Sequence, residues 1–265
     1  MSVLDYKVSG HIGVVTLNRP EAKNAINPEL GVKLADLWES IRNDDSIRVV
    51  VLTGAGDVFC AGADLGQLIP LMSGGRKAEN EWDERILADS DILERTLLRS
   101  FDVEKPVIAA INGHGIAGGM EILQGTDIRV SSPVAKFGVQ EVKWAIFPAG
   151  GSSVRLPRQM PYCKAMELLL TGDLITAEQA LQLGFVNYVE KKFFDKAMDI
   201  AHKIASNGPV AVKAIRQSAR ACLGVPELEA LKIETEISRP VFATEDAQEG
   251  PRAFMEKRQP VYKGK

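Results

Sequence analysis

Two apolar runs, Ile47 to Leu52 and Pro106 to Ile111, constrain this chain more than any other feature. Each is nearly unbroken and ends in a glycine-containing turn, Thr53-Gly54-Ala55-Gly56 after the first and Asn112-Gly113-His114-Gly115 after the second. Side chains alternate across a strand, so a strand apolar at every position can show neither face to water. Such strands belong in a sheet covered by helices, with crossover connections between parallel neighbours. The expected class is therefore α/β with layered sheets.

The flanking sequence supplies the cover. Leu4, Tyr6, Val8 and then Ile12, Val14, Thr16 alternate around Ser9-Gly10 and predict an opening hairpin. Asn27 as N-cap and Pro28 at the first helical position predict a helix whose Leu30, Leu34, Leu37, Trp38 and Ile41 form one stripe. Leu65 to Phe101 is charged and irregular around Ser73-Gly74-Gly75 and reads as a mobile flap. A helix is expected over Gly118 to Gln124, followed by short strands at Ile128 to Ser131 and Ala135 to Gly138. Beyond Gly151 helices dominate: Pro161 opens one, and Thr176 to Gln179 has the form of a capping box. Asn207-Gly208-Pro209, Gly224-Val225-Pro226 and Gly250-Pro251 divide the tail into three helical segments.

At 265 residues, 45% hydrophobic and 25% charged, the chain can bury a real core, which excludes disordered and fibrous classes. A balance of 32 basic against 35 acidic residues offers nucleic acid or an anionic membrane no general attraction. No apolar run reaches membrane-spanning length, and Met1 to Gly10 lacks the form of a secretory leader, so a cytoplasmic location is expected. Cys60, Cys163 and Cys222 show no C-x-x-C spacing and read as reduced, buried thiols. With three histidines and three cysteines no metal site is expected, and acid–base chemistry falls to the carboxylates.

Gly113, Gly115 and Gly118 spell G-x-G-x-x-G between a strand and a helix. A dinucleotide fingerprint also needs a carboxylate at the end of the next strand, where this chain has Ser131-Ser132-Pro133. What remains is the physics of the turn: glycines let backbone amides approach a ligand, and a helix start favours negative charge. Glu121 lies three residues beyond Gly118, where desolvation would raise its pKa. A second turn, Phe59-Cys60-Ala61-Gly62-Ala63-Asp64-Leu65, could supply a second amide, and two converging amides make an oxyanion hole. His114 reads as a turn residue, since no nucleophile elbow accompanies it. Trp144 and Phe147 read equally as walls of a pocket or as core.

An ordered set of segments resembles the enoyl-CoA hydratase/isomerase, or crotonase, superfamily. It runs from Leu17-Asn18-Arg19-Pro20 through Asn24-Ala25, Leu52 to Leu65, Ile111 to Asp127 and Phe137-Gly138-Val139-Gln140-Glu141. Pro148-Ala149-Gly150-Gly151, Leu169 to Gly172 and Gly250 to Arg258 complete it, so only Gln67 to Ser100 lacks a counterpart. The resemblance implies a ClpP/crotonase-like spiral of ββα units over residues 1–200. Residues 201–265 would then be a helical trimerisation layer, in a homotrimer or a dimer of trimers.

For the chemistry, the resemblance implies that Ala63 and Gly118 donate the oxyanion-hole amides, with Ala117 standing where the family has a first glycine. Glu121 and Glu141 match the two catalytic glutamates of hydratases, Glu121 as the base that positions water and Glu141 as the acid at Cα. Family isomerases and dehalogenases commonly lack one of the pair. Ala22, Lys23, Ala61, Asp64 and Leu65 would line the coenzyme A site, with Phe254 and Lys257 reaching over from a neighbouring subunit. No cofactor is implied, because coenzyme A is part of the substrate. Readings that stay open are a double-bond isomerase, a CoA-ester hydrolase, and a non-catalytic or RNA-binding member of the fold.

Overall fold

The structure is a computed structural model that describes residues 2–265; Met1, part of the segment read for a leader, lies outside the described residues. The chain opens with β1 (Leu4–Ser9) and β2 (Ile12–Leu17), an antiparallel hairpin in which Ser9 pairs with Ile12. After α1 (Pro28–Arg42) comes β3 (Val49–Gly54), and after α2 (Leu68–Met72), α3 (Glu81–Ala88) and α4 (Asp91–Thr96) comes β4 (Val107–Ile111). Asn27 caps α1 as expected, its side chain accepting from the Leu30 amide at 2.9 Å with Pro28 behind it.

The second half contributes β5 (Gly115–Ile116), α5 (Gly118–Gln124), β6 (Ile128–Ser131), β7 (Lys136–Gly138), α6 (Ser152–Gln159), α7 (Tyr162–Thr171), β8 (Ile175–Thr176), α8 (Ala177–Gln182) and β9 (Tyr188–Val189). The main sheet has the order β1-β2-β3-β4-β6-β9, parallel from β2 onward; a smaller sheet has the order β5-β7-β8. The turns that begin at β4 and β6 each place one strand in the main sheet and a short one, β5 or β7, in the second sheet. A helix then returns the chain to the start, as in β4, β5 and α5. The capping box at Thr176 and Gln179 opens α8.

The two apolar runs are buried on both faces because their residues alternate between two cores. Val50, Leu52, Val107, Ala109 and Ile111 face one core with Leu30, Leu34 and Trp38 of α1. Val49, Val51, Ile108 and Ala110 face the other, closed by α9 (Phe193–Ala205), where Ala197 and Ala201 let the helix lie close to the sheet.

Residues 65–101 are not a mobile flap. Ile86, Ile92 and Leu98 are buried in the first core, and Thr96 Oγ1 donates to the Gly31 carbonyl at 2.8 Å. The charges that make this stretch look solvated neutralise one another. Asp83, fully buried, is held by Arg76 through two hydrogen bonds of 2.5 and 2.7 Å, and Arg85 grips Asp36 of α1 in the same forked manner.

The tail is helical, as α10 (Pro209–Ala221), α11 (Glu227–Ser238) and α12 (Glu245–Met255). The last break falls at the 3₁₀ turn Arg239–Ala243 and not at Gly250-Pro251, which α12 runs through. The returning C-terminus braces that helix: Asp246 accepts from the Lys263 and Gly264 amides at 2.8 Å, and Glu249 accepts from the Val261 amide at 3.0 Å. Ile215, Leu231 and Phe242 stand exposed along this layer. The thiols divide: Cys60 is buried, its pKa pushed up to about 12 by burial, but Cys163 is exposed on the first turn of α7, against the expectation of three buried thiols. Among the described residues no helix is long and apolar enough to cross a membrane, and no cluster of ligating side chains could hold a metal.

Candidate active site

The carboxyl ends of β3 and β4 deliver two turns to one place. Phe59 and Cys60 donate their amides to the His114 carbonyl, and Ile116 donates to the Cys60 carbonyl at 3.0 Å. Such contact demands glycine on the facing helix, since a β-carbon at Gly119 would stand 2.2 Å from the Cys60 oxygen. The glycine run therefore serves turn-on-turn packing, which explains its resemblance to a dinucleotide fingerprint. His114 holds the turn, its Nδ1 accepting from the Lys136 amide at 3.2 Å.

Ile26 fixes the other turn by donating to the Gly62 carbonyl at 2.8 Å and accepting from the Asp64 amide at 2.9 Å. Between those bonds the Ala63 amide donates to no described residue, and neither does the Gly118 amide at the first position of α5. The two are neighbours: a β-carbon on Gly118 would lie 3.6 Å from Ala63 N, and one on Gly62 would lie 3.1 Å from Gly118 N. Two unsatisfied donors side by side form a cradle for one oxygen that carries negative charge. Ala117, just before, adopts φ 52° and ψ −126°, a conformation that L residues seldom take.

Glu121 is one helical turn further along α5 and nearly fully buried. Its Oε1 accepts from Ser152 Oγ at 3.1 Å, and the nearby Gly150 and Ser152 amides favour its charged form. Burial raises its pKa, opposed by those donors and by the positive charge of Arg155. Glu141 opens the 3₁₀ turn Glu141–Trp144; its Oε2 is buried with no hydrogen-bond partner among the described residues. Burial, with the charge of Glu121 adding to it, pushes the Glu141 pKa up to about 7. The two carboxyls are thus electrostatically coupled but unequally served: donors surround Glu121, so Glu141 is the one that keeps a proton near neutrality.

The structure brings Ala22, Lys23, Ala61, Asp64 and Leu65 to the same edge. Ala61 donates its amide to the Lys23 carbonyl at 3.1 Å, which sets Ala22 and Lys23 beside the second turn. Lys23 is exposed, at φ 54°, and makes no ion pair among the described residues; Leu65 is exposed as well. The Asp64 carboxylate is already committed, to Arg19 at 3.0 Å and to the Gly66 and Gln67 amides at 3.0 Å each, so it shapes the turn. Phe254 and Lys257 lie on α12 and just past it, both exposed. Trp144 and Phe147 are 70% and 67% exposed, which overturns the reading of them as core.

Several residues that build the site escaped the sequence reading. Ser152, Gly150 and Gln124 secure Glu121, with Gln124 Nε2 donating to Ser152 Oγ at 2.9 Å. Leu97 packs against Gly150 beside the carboxylate. Asn24, fully buried, ties its loop to the Arg19 amide and to the Ala55 and Val58 carbonyls. The signal for Ser152 lay in Pro148 to Gly151, a stretch noted for resemblance without a role.

Comparisons with known proteins show what the chain is similar to. The family model for enoyl-CoA hydratase/isomerase matches residues 7–265. The chain is 46% identical over 259 residues to enoyl-CoA hydratase EchA19 of Mycobacterium tuberculosis, covering 97% of this chain and 94% of that protein. It is 38% identical over 253 residues to short-chain-enoyl-CoA hydratase of Clostridium acetobutylicum, covering 94% and 93%. The solved enoyl-CoA hydratase of Bacillus anthracis superposes with a TM-score of 0.89 at 35% identity, over 99% of this chain and 100% of that one.

Proposed function

The chain belongs to the enoyl-CoA hydratase/isomerase family and is an enoyl-CoA hydratase of acyl-CoA catabolism, and we propose that Glu121 and Glu141 carry its reaction opposite the Ala63 and Gly118 amides. The thioester oxygen of a 2-enoyl-CoA sits between those amides. Glu121, ionised, takes a proton from water as the water oxygen bonds to Cβ. The electrons of the double bond move toward the thioester oxygen, where the two N–H groups meet the growing charge. Glu141 then gives its proton to Cα, and the product is a 3-hydroxyacyl-CoA. Dehydration runs the same steps backward with the glutamates exchanged.

The observation that supports this assignment is the inequality of the two carboxyls. Glu121 accepts from Ser152 Oγ beside two amides that favour its charge, while Glu141 Oε2 is buried without a donor and its pKa is pushed up to about 7. One ionised and one protonated group is the state that hydration needs.

Coenzyme A enters as part of the substrate, and we infer no separate cofactor. Ala22, Lys23, Ala61, Asp64 and Leu65 form the rim proposed for its phosphates and adenine, and the Lys23 ammonium is free to meet a phosphate. Phe254 and Lys257, exposed on the last helix, suit contact with a neighbouring subunit's site. The exposed Ile215, Leu231 and Phe242 suit a trimer, or a dimer of trimers, built on residues 201–265. Residues 1–200 would then be the catalytic core, with α9 crossing that boundary. Trp144 and Phe147 are proposed as an acyl-pocket wall open to solvent in the isolated chain. A reducing cytoplasm fits the unpaired thiols.

The test is product analysis with paired substrates. Incubation with 2-enoyl-CoA should yield 3-hydroxyacyl-CoA, and 3-enoyl-CoA should persist. Conversion of 3-enoyl to 2-enoyl thioester without hydration, or release of free coenzyme A, would replace this reading with isomerisation or hydrolysis.

A further inference from the structure

At the end of α5 away from the oxyanion amides lies a cavity of about 580 Å³. Five arginines line it, Arg99, Arg129, Arg155, Arg158 and Arg220, against a single carboxylate, Asp127. That carboxylate is already engaged, by Arg216 Nε and by the Val107 amide, both at 2.8 Å. Of the five, Arg99 pairs with Glu94, and Arg220 reaches Asp102 only at 3.6 Å, in competition with Arg216. Arg158 is exposed and makes no ion pair among the described residues.

The two remaining arginines are the informative ones. Arg129 is only 7% exposed, yet it donates to neutral acceptors alone, the Phe185 carbonyl at 2.7 Å and Gln159 Oε1 at 3.0 Å among them. Arg155 gives one nitrogen to the Leu98 and Arg99 carbonyls, and its Nη1 is buried with no partner. A buried guanidinium that no carboxylate bonds directly is costly. Burial lowers the pKa of both, and the arginines oppose one another, Arg155 acting on Arg129 and Arg220 and Arg99 acting on Arg155, while Asp127 and Glu121 offset this only in part. A third group is left over beside them: Gln124 lines the cavity, and its Oε1 is a buried acceptor with no donor.

We propose that this cavity is a binding site for a small, multiply charged oxyanion of the hydrogen phosphate type. Such an anion brings two charges to a cluster of guanidiniums and, once the Arg155 side chain turns toward it, accepts from its Nη1. Its P–OH can donate to Gln124 Oε1, which neither sulfate nor a carboxylate can do. The site also touches the catalytic centre as read above, because Gln124 Nε2 donates to Ser152 Oγ and Ser152 Oγ donates to Glu121 Oε1. Occupancy would fix the lower end of that chain.

The test is calorimetric titration of the full chain with inorganic phosphate near neutral pH, at constant ionic strength set with chloride. No turnover enters the measurement, so its failure leaves the assignment of Glu121 and Glu141 untouched. The expected result is saturable binding of one phosphate per chain and weaker binding of sulfate. In the Arg158→Gln/Arg220→Gln double variant, affinity should fall about tenfold or more, the loss of one charge-assisted contact. Both substituted side chains are exposed, so the variant should keep its fold, checked by circular dichroism. Arg239→Gln, on the distant C-terminal layer, should bind as the parent does. Absence of saturable heat, or equal affinity in the double variant, would overturn the proposal. So would a wild type that ignores phosphate and whose oligomeric state changes with the double variant, since a neighbouring chain would then fill the cavity.

Discussion

Gly150 stands where the Glu121 carboxyl must fit: a β-carbon at position 150 would lie 2.3 Å from Glu121 Oε2 and 2.5 Å from its Cδ. The glycine is thus an element of the acid–base site, leaving its amide to donate where a side chain would collide. Substitution Gly150→Ala should displace the carboxylate or the loop. A fall in kcat of ~10²-fold is expected, as for a misplaced catalytic group, with CoA-ester binding much less affected. Stability should drop by about 1–3 kcal/mol, the ordinary cost of overpacking. Steady-state kinetics alongside thermal melts check both, and a fully active variant would show that Glu121 does not need this position.

The coupled pair dictates the pH profile. Activity needs one proton on two carboxyls, so kcat/KM should be bell-shaped in both reaction directions. The alkaline limb, where the pair loses that proton, should fall near 7, because Glu141 holds it that high. The acidic limb reports Glu121. Ser152→Ala removes a donor that favours the ionised form, so that limb should move to higher pH while the alkaline limb stays. An acidic limb unmoved by Ser152→Ala would separate it from Glu121.

Glu141 should also cost the fold stability above its titration. Its pKa is about 7 when folded against 4.5 when exposed, so the native state binds more protons across that interval and stability falls as pH rises through it. Glu141→Gln abolishes the effect. The variant should melt higher than the parent at about pH 8 and lose that advantage below the unfolded pKa. Equal melting temperatures throughout would contradict the buried, donor-poor environment of Oε2.

Much of this was legible beforehand, for reasons that differ by residue. Burial on both faces of Ile47 to Leu52 and Pro106 to Ile111 follows from composition alone, and capping chemistry at Asn27 and Thr176 is local. The packing of residues 65–101 was not legible, because Arg76–Asp83 and Arg85–Asp36 are charges that only tertiary structure pairs. The continuity of α12 through Pro251 goes with a tail that returns to Asp246 and Glu249, a contact that local propensity does not encode. In the site, Glu121 and the two amides could be suspected from their turns. Ser152 and Gly150 could not, since their role exists only once α6 is laid against α5.

Ala117 offers a test of stored strain. It holds φ 52° where the resemblance places glycine, and a non-glycine residue there costs on the order of 1–3 kcal/mol. Ala117→Gly should stabilise the chain by about 1 kcal/mol after the added entropy of the unfolded glycine is set against it. Chemical denaturation measures this directly, and a destabilised variant would mean that the Ala117 methyl makes compensating contacts.

The central claim is that two glutamates share one proton transfer cycle. The most direct measurement is kcat for hydration of a 2-enoyl-CoA by Glu121→Gln and by Glu141→Gln, with CoA-ester affinity measured in parallel. Each substitution should lower kcat by ~10²–10⁴-fold, the contribution of a general acid or base, and leave affinity nearly intact. Full turnover by either variant would contradict the two-carboxylate mechanism.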